Sequence, residues 1–199
     1  MGSFANKPAV LFHYADSRRQ SVPLELLDAS VGAIMVDGYE GYGKACQQHQ
    51  ITRLGCWAHA RRKLMDAKGV QKKGKTGKAD QGLAFIQKLY ALEKAIKDQP
   101  PDERYRRRQA EAKPIIDKLR AWLEKGLPHV PPQSAIGKAL HYLHGQWDRL
   151  ARYLDDGAYP IDNNPAENAI RPFTVGRKNW LFANSQAGAK ASANLYSLI

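Results

Sequence analysis

Cysteine is scarce in this chain of 199 residues, where only Cys46 and Cys56 occur. Two cysteines do not supply the disulfide framework that holds small secreted domains together. The chain also lacks an apolar run of the roughly 18 or more residues that a membrane-spanning helix needs. No signal-peptide pattern opens the chain. We therefore expect a cytoplasmic protein that has no membrane partner.

Acidic residues are few in comparison with basic ones. The chain has 19 Asp plus Glu against 31 Lys plus Arg, which gives a formal charge of +12. Such an excess is typical of proteins that bind polyanions, nucleic acids above all. The alternative is a generally basic protein without such a partner. A hydrophobic content of 43% is enough for one core with an appended helical part.

Each cysteine is followed three positions later by a histidine, as Cys46-x-x-His49 and Cys56-x-x-His59. Zinc sites use thiolates and imidazoles, usually with longer intervals between the two ligand pairs. Here six residues separate the pairs, and the segment Ile51 to Leu54 among them predicts a strand. We therefore favour Cys46 as a residue on a helix face over a zinc ligand.

An apolar segment of strand length, Gly32 to Val36, ends abruptly in Asp37-Gly38. This pattern predicts a buried central strand with an acid at its carboxyl end. Ligand sites in open α/β sheets gather outside the carboxyl ends of the strands, so Asp37 is a candidate site residue. The alternative is an ordinary turn, in which aspartate before glycine is common.

A second acid stands in Asp162-Asn163-Asn164-Pro165-Ala166-Glu167, with basic residues following it. Asn164 is a suitable helix cap and Pro165 a suitable first residue, so Glu167 falls in the first turn. A carboxylate beside cations suits a metal-dependent phosphodiester enzyme, and the cations here are Arg171, Arg177 and Lys178. The alternative is a capping box, in which Glu167 merely binds a backbone N–H.

A third block is Leu54-Gly55-Cys56-Trp57-Ala58-His59-Ala60-Arg61-Arg62-Lys63. Together with the two blocks above, it resembles the catalytic region of insertion-sequence-66-type transposases of bacteria. That family belongs to the DDE group, which has a ribonuclease-H-like fold. The resemblance extends from about Val10 to the C-terminus. It implies that Asp37 matches the second catalytic aspartate and Glu167 the catalytic glutamate. Both would hold Mg²⁺ or Mn²⁺ in a two-metal mechanism of DNA cleavage and strand transfer.

The resemblance also implies roles for residues around the two acids. His59, Asn163 and Asn164 would support the site. DNA phosphates would contact a basic set that comprises Arg61, Arg62, Lys63, Arg171, Arg177 and Lys178. A solvated helix face is the alternative for the first three of these. The expected partners are DNA at transposon ends and further copies of the chain or a full-length transposase, in the cytoplasm at the bacterial nucleoid.

One departure from the family pattern concerns its first catalytic aspartate, which lies on an upstream strand. Neither Asp16 nor Asp28 stands in that motif. We therefore expect a truncated core with two of the three acids and without the N-terminal DNA-binding part. Whether such a chain is an enzyme is left open. The alternative function is an inactive DNA-binding or protein-interaction remnant of a transposase.

The order of the first predicted elements is strand, helix, strand, helix, strand. The ranges are Ala9–Tyr14, Pro23–Leu27, Ala33–Val36, Tyr42–His49 and Ile51–Leu54. This order favours an α/β fold with parallel neighbouring strands. The resemblance adds that the fold is ribonuclease-H-like, incomplete because the first strands are missing.

The chain from Trp57 onward is predicted to be helical, with a cationic break at Lys68 to Lys78. Gly82 to Lys97 is an amphipathic helix, and Pro114 kinks or divides a later one. Ser134 to Asp155 carries apolar residues at alternating intervals of four and three, which predicts one long helix capped by Ser134. We thus expect a large all-α insertion before the Glu167 helix, with parts at 1–66, 67–158 and 159–199.

Overall fold

The computed structural model describes residues 2–4, 7–71, 76–171 and 185–198. These residues form an α/β structure that is mostly helical and has one small parallel sheet. No helix among them combines the length and the apolar character needed to cross a membrane. The predicted α/β class is confirmed, while the ribonuclease-H-like assignment stays a prediction.

The strands, in chain order, are β1 (Gly2–Phe4), β2 (Lys7–Ala9), β3 (Ala33–Val36) and β4 (Thr52–Gly55). The helices are α1 (Ser21–Leu26), α2 (Gly43–Gln48), α3 (Trp57–Gly69), α4 (Lys78–Ile96), α5 (Pro101–Arg107), α6 (Lys113–Gly126), α7 (Ala135–Gly145), α8 (Trp147–Ala151), α9 (164–171) and α10 (Gln186–Leu198). A π-helical turn, Arg108–Ala112, joins α5 to α6 just before Pro114.

The chain divides into two compact units. The first unit comprises Met1–Gly32, Glu40–Ile51 and Asn163–Ile199, and the second comprises Ala33–Tyr39 and Thr52–Asp162. The second unit therefore holds β3, β4 and helices α3 to α8. The expected parts at 1–66, 67–158 and 159–199 stay a prediction.

The first unit begins with an antiparallel pairing of β1 and β2, in which Gly2 lies opposite Ala9. The predicted strand from Ala9 to Tyr14 was wrong, because residues 10–15 form no regular structure. The backbone N–H of Phe12 donates instead to the hydroxyl of Ser197 on α10 (2.8 Å). The N–H of Phe12 is thus paired with a side chain, whereas in a strand it would be paired with the backbone of a neighbouring strand.

Helix α2 carries Cys46 on its buried face, as predicted. Both cysteines are free thiols, and the described residues contain no group of three or more His, Cys, Asp or Glu able to hold a metal ion. The interpretation of Cys46 as a helix-face residue is confirmed by its buried position on α2.

The second unit is organised around the parallel pair β3–β4, in which Ala33 lies opposite Thr52 and Val36 opposite Gly55. The predicted strand Ala33–Val36 and the parallel pairing are confirmed, and β4 begins one residue later than predicted. The prediction of a buried central strand was wrong for the described residues, because β3 has β4 as its one partner in a two-stranded sheet and Val36 alone of its residues is buried. Parallel strands that end in register open their following loops at the same edge. Asp37 and Cys56 therefore start neighbouring loops at the carboxyl edge of this sheet.

The main hydrophobic core of the second unit lies among its helices. Helix α3 packs against α4 and α7, and its buried face is formed by Trp57, Ala60 and Leu64. Other helices contribute fully buried side chains, including Ile86, Leu89, Leu119, Leu123, Leu140 and Leu143. Burial of apolar area contributes about 25 cal/mol per Å², so this interface is the main source of stability in the unit.

The predicted helix from Ser134 to Asp155 is divided in the structure. Ser134 caps α7 as predicted, because its hydroxyl accepts a hydrogen bond from the Gly137 N–H (3.0 Å). Helix α7 ends at Gly145, however, and Gln146 has φ −102° and ψ 5° before α8 begins. The predicted single helix was wrong here, since glycine is a weak helix former. The alternating apolar residues are nonetheless buried on both sides of the break.

Arg108, in the π-helical turn, is fully buried and uses every N–H of its guanidinium. Nε and Nη2 donate to the two carboxylate oxygens of Glu93 (2.9 and 2.7 Å). Nη1 donates to the carbonyls of Tyr153 (2.8 Å) and Asp156 (2.7 Å), and Nη2 also to that of Tyr159 (2.9 Å). One side chain thus joins α4, the π-helical turn and the segment that leads to Asp162.

Replacement of Arg108 by Met should destabilise the protein strongly. The change leaves the carboxylate of Glu93 and three carbonyls without their buried donor, and breaking such a pair costs about 3–5 kcal/mol. Urea unfolding followed by circular dichroism gives the free energy of unfolding. Arg107→Met is the matched control, because Arg107 is paired with Glu111 on the helix surface and its loss should have little effect. Equal stability of the two variants would contradict the role of Arg108.

Replacement of Gly55 by Ala should also destabilise the second unit. A Cβ at this position would lie 3.0 Å from the backbone nitrogen of Leu150 and 3.1 Å from the carbonyl carbon of Arg149. Backbone atoms cannot move away as a flexible side chain can, so the overpacking should lower the free energy of unfolding by about 1–3 kcal/mol. Gly69→Ala is the control, since a Cβ there meets no atom within 4 Å. The prediction is wrong if both variants unfold at the same urea concentration.

Candidate functional site

Asp37 follows β3 directly and is half-buried. Its Oδ1 accepts a hydrogen bond from the backbone N–H of Tyr39 (2.9 Å), which closes a turn over Gly38. The two interpretations of the sequence are therefore compatible, since a turn aspartate also stands at the carboxyl end of a parallel strand. The hydrogen bond engages one carboxylate oxygen and fixes the side chain at the sheet edge.

Arg53 ties this turn to the neighbouring strand. The residue lies on β4 and is buried, with 4% of its surface exposed. Its Nη2 donates to the carbonyl oxygen of Tyr39 (2.6 Å). The carbonyl of Arg53 in turn accepts from Nη1 of Arg152 (3.3 Å). A buried guanidinium thus stands beside the turn that carries Asp37.

Residues of α7 and of the α7–α8 junction approach the same turn from another side. A Cβ at Gly38 would lie 3.1 Å from Cε2 and 3.5 Å from the hydroxyl of Tyr142, and 3.6 Å from Nε2 of Gln146. Glycine at position 38 therefore lets Tyr142 come close to the Asp37 turn. No motif in the sequence indicated Tyr142 or Gln146, because their proximity depends on packing across about a hundred positions of chain.

Burial, followed by the nearby Cys56 and Asp37, raises the pKa of Tyr142 to about 12. The cations Arg149 and Arg53 act in the opposite direction. All of these groups thus lie within electrostatic reach of the Tyr142 phenol. The phenol remains protonated at neutral pH and is available there as a hydrogen-bond donor.

The amino end of α3 lies at the same sheet edge. The first N–H of the helix, from Trp57, donates to the carbonyl of Ile161 (3.1 Å). The next residue, Asp162, is buried, and its Oδ2 accepts a hydrogen bond from the Tyr90 hydroxyl (2.6 Å). Burial and then this carboxylate raise the pKa of Tyr90.

The candidate DNA-binding residues Arg61, Arg62 and Lys63 are all exposed on α3. Trp57, Ala60 and Leu64 form the opposite face of this helix, which is buried. The exposed positions fit a helix that presents cations to a phosphate backbone, and they also fit a solvated face. His59 is half-buried one turn into the same helix. DNA binding by the three residues stays a prediction.

Glu167 lies in the first unit, half-buried on α9. Its backbone N–H donates to the carbonyl of Asn163 (3.0 Å). Asn163 therefore holds the cap position and Asn164 the first helical position, one residue earlier than predicted. Proline lacks an N–H and is tolerated throughout the first turn, so the shift places Pro165 at the second position without loss. Glu167 then falls one residue beyond its place in the capping box.

The exposed Arg171 follows Glu167 by four positions on α9 and so lies on the same helix face. Two further candidates, Arg177 and Lys178, lie outside the described residues. The convergence of Glu167 with Asp37 stays a prediction.

Replacement of Asp37 by Asn should lower the pKa of Tyr142 from about 12. The value should stay above the ordinary 10.0, because burial, its largest cause, remains. Nuclear magnetic resonance of Tyr Cζ carbons, with Tyr142→Phe to assign the signal, measures this pKa. Asp66→Asn on α3 is the control. An unchanged pKa in the Asp37 variant would contradict the proximity of the two groups.

The same shift has a consequence for stability at high pH. The folded-state pKa of Tyr142 lies above its unfolded-state value, so the protonated phenol favours the folded state. This contribution is fully present below pH 10.0 and is lost as the pH rises through about 12. Wild type should therefore lose more stability than Tyr142→Phe over that range.

Comparison with known proteins shows similarity over nearly the whole chain. Residues 2–191 match the model of the Transposase IS66 family. The chain is 30% identical to the uncharacterized protein y4hP of Sinorhizobium fredii (strain NBRC 101917 / NGR234), with 96% of the chain and 37% of the relative covered. It is 32% identical to y4qI and 31% to y4jD of the same strain, again over 96% of the chain and over 36% and 38% of those relatives.

The chain thus spans little more than a third of the length of these relatives. No solved structure matches it. The family match includes the Asp37 turn, the amino end of α3 with its basic residues, and the Glu167 helix. The chain therefore belongs to the IS66 family of transposases.

Proposed function

We propose that this chain is part of the catalytic region of a transposase that cleaves DNA and transfers strands at transposon ends. Family membership gives it a transposase-related function. The observation that carries the finer proposal is the position of Asp37, fixed at the carboxyl edge of a parallel strand pair beside a helix with exposed cations. Asp37 and Glu167 are the proposed catalytic acids, and the proposed fold is ribonuclease-H-like.

The chemistry of the reaction explains why acids are needed. Cleavage and strand transfer are in-line displacements at phosphorus, in which divalent metal ions activate the attacking oxygen and stabilise the leaving one. Mg²⁺ prefers carboxylate oxygens, which Asp37 and Glu167 provide. The described residues contain no group of three or more possible ligands, so the proposed site is not assembled among them.

Electrostatics supports DNA as the partner. The chain carries a net charge of +12, and the exposed cations of α3 follow immediately after the sheet edge. Each phosphate that a Lys or Arg neutralises releases condensed counterions from the DNA. Binding should therefore be non-specific in sequence for this part of the protein and should weaken steeply as salt is added.

Replacement of Arg61, Arg62 and Lys63 together by Met should reduce the salt dependence of DNA binding. Three lost phosphate contacts lower the slope of log affinity against log salt by about 2.7, at about 0.9 per contact. Fluorescence anisotropy with a labelled duplex measures the slope. The control replaces Arg107, Lys113 and Arg120, each of which has an acidic partner four positions later, and removes the same total charge. Equal slopes in the two triple variants would contradict an α3 interface.

Replacement of Asp37 by Asn, or of Glu167 by Gln, should abolish Mg²⁺-dependent nicking of supercoiled DNA, because each change removes a proposed ligand. Asp66→Asn serves as the control and should behave like wild type. Nicking that persists when both acids are replaced would overturn the assignment. DNA binding with no Mg²⁺-dependent nicking in wild type would favour the second candidate function, a DNA-binding remnant.

A further inference from the structure

We propose that the α7–α8 junction binds a backbone phosphate of DNA beside the Asp37 turn, through the side chains of Tyr142, Gln146 and Arg149. These three side chains form the junction surface. It rests on the proposed function in one respect, the choice of DNA as the ligand. All three residues belong to the second unit, as does Asp37.

The first support is the close approach of the junction to the Asp37 turn. The Tyr142 hydroxyl and the Gln146 Nε2 lie 3.5 and 3.6 Å from the position that a Cβ would take at Gly38. Both distances are ordinary van der Waals contacts, and the Cε2 atom of Tyr142 is closer still, at 3.1 Å from the same position. Both groups are therefore neighbours of the residue that follows the proposed catalytic acid.

The second support is the way in which the junction is fixed to the sheet. Helix α8 contacts β4 through backbone atoms, since a Cβ at Gly55 would lie 3.1 Å from the carbonyl carbon of Arg149. Gly55 is the register partner of Val36, which precedes Asp37. Main-chain packing thus fixes the backbone of Arg149 at the end of β4. A contact between backbone atoms fixes a position better than a contact made by a long flexible side chain.

The third support is the chemistry that the junction surface presents. Nη1 of Arg149 donates to Oε1 of Gln146 (3.1 Å). This bond occupies the acceptor atom of the Gln146 amide and leaves Nε2, a donor, at the Gly38 side. The hydroxyl of Tyr142, 3.5 Å from the Cβ position of Gly38, is a further hydrogen-bond donor on the same side. A guanidinium, an amide N–H and a phenol O–H together suit a tetrahedral anion.

The break between α7 and α8 lies within the junction surface. A continuous helix through Gln146 would keep Tyr142, Gln146 and Arg149 at intervals of four and three on one regular face. The non-helical φ and ψ of Gln146 redirect the chain at the point where it meets the Asp37 turn.

The test compares DNA binding of three single variants in EDTA, where no divalent ion contributes. Arg149→Met should lower the slope of log affinity against log salt by about 0.9, because one phosphate contact is lost. Arg149→Lys should keep the wild-type slope, since lysine also binds phosphate as a point charge. Arg106→Met on α5, where the cation is paired with Glu103, is the control for charge removal and should leave the slope unchanged.

Tyr142→Phe adds a readout that charge alone would not produce. The change keeps the ring beside Gly38 and removes only a neutral donor. Affinity should therefore fall at every salt concentration while the slope stays at the wild-type value. Circular dichroism melting of each variant verifies that the fold is retained, and Arg149→Lys provides the same comparison if Arg149→Met unfolds.

The proposal is overturned if Arg149→Met and Arg106→Met show the same slope, or if Arg149→Lys loses as much of the slope as Arg149→Met. Either result would leave Arg149 with a purely structural role in the folded second unit. The proposed catalytic function is tested separately, by the effect of Asp37 and Glu167 on Mg²⁺-dependent nicking. Loss of one proposal therefore does not decide the other.

Discussion

Arg108 donates hydrogen bonds to Glu93 and to the carbonyls of Tyr153, Asp156 and Tyr159 from a fully buried position. A buried guanidinium is tolerated only where its charge is paired and its donors are satisfied, so this network requires all of its partners at once. It connects α4 and the π-helical turn with the segment that runs to Ile161 and Asp162. The amino end of α3 depends on that segment, since Trp57 donates to Ile161.

The sheet edge gathers chemistry from distant parts of the second unit. Parallel pairing places Asp37 and the start of α3 side by side. Two glycines then allow helices to approach closely: Tyr142 of α7 lies next to Gly38, and the backbone of α8 packs against Gly55. The described edge thus combines the Asp37 carboxylate with the side chains of Tyr142 and Gln146 and the buried guanidinium of Arg53. Membership of the IS66 transposase family is what the comparisons show for this chain.

Local patterns predicted local structure well where one signal dominated. The apolar run before Asp37 gave the strand Ala33–Val36, and Ser134 caps α7 as its sequence context indicated. Two predictions of elements were wrong. The segment after Ala9 is not a strand, and the N–H of Phe12 donates there to Ser197, far along the chain. The long helix was broken after Gly145, although the periodic apolar residues remained buried on both sides.

The amino-acid sequence alone determined the family, the acid at the end of the first parallel strand, the basic start of α3 and the excess of positive charge. These features depend on residue type and short spacing, which a single sequence displays. Only the tertiary structure decided that Arg108 joins four backbone and side-chain partners, and that Tyr142, Gln146 and Arg149 stand beside the Asp37 turn. Such contacts link residues far apart in the chain, and they exist only once the helices have packed on the strands.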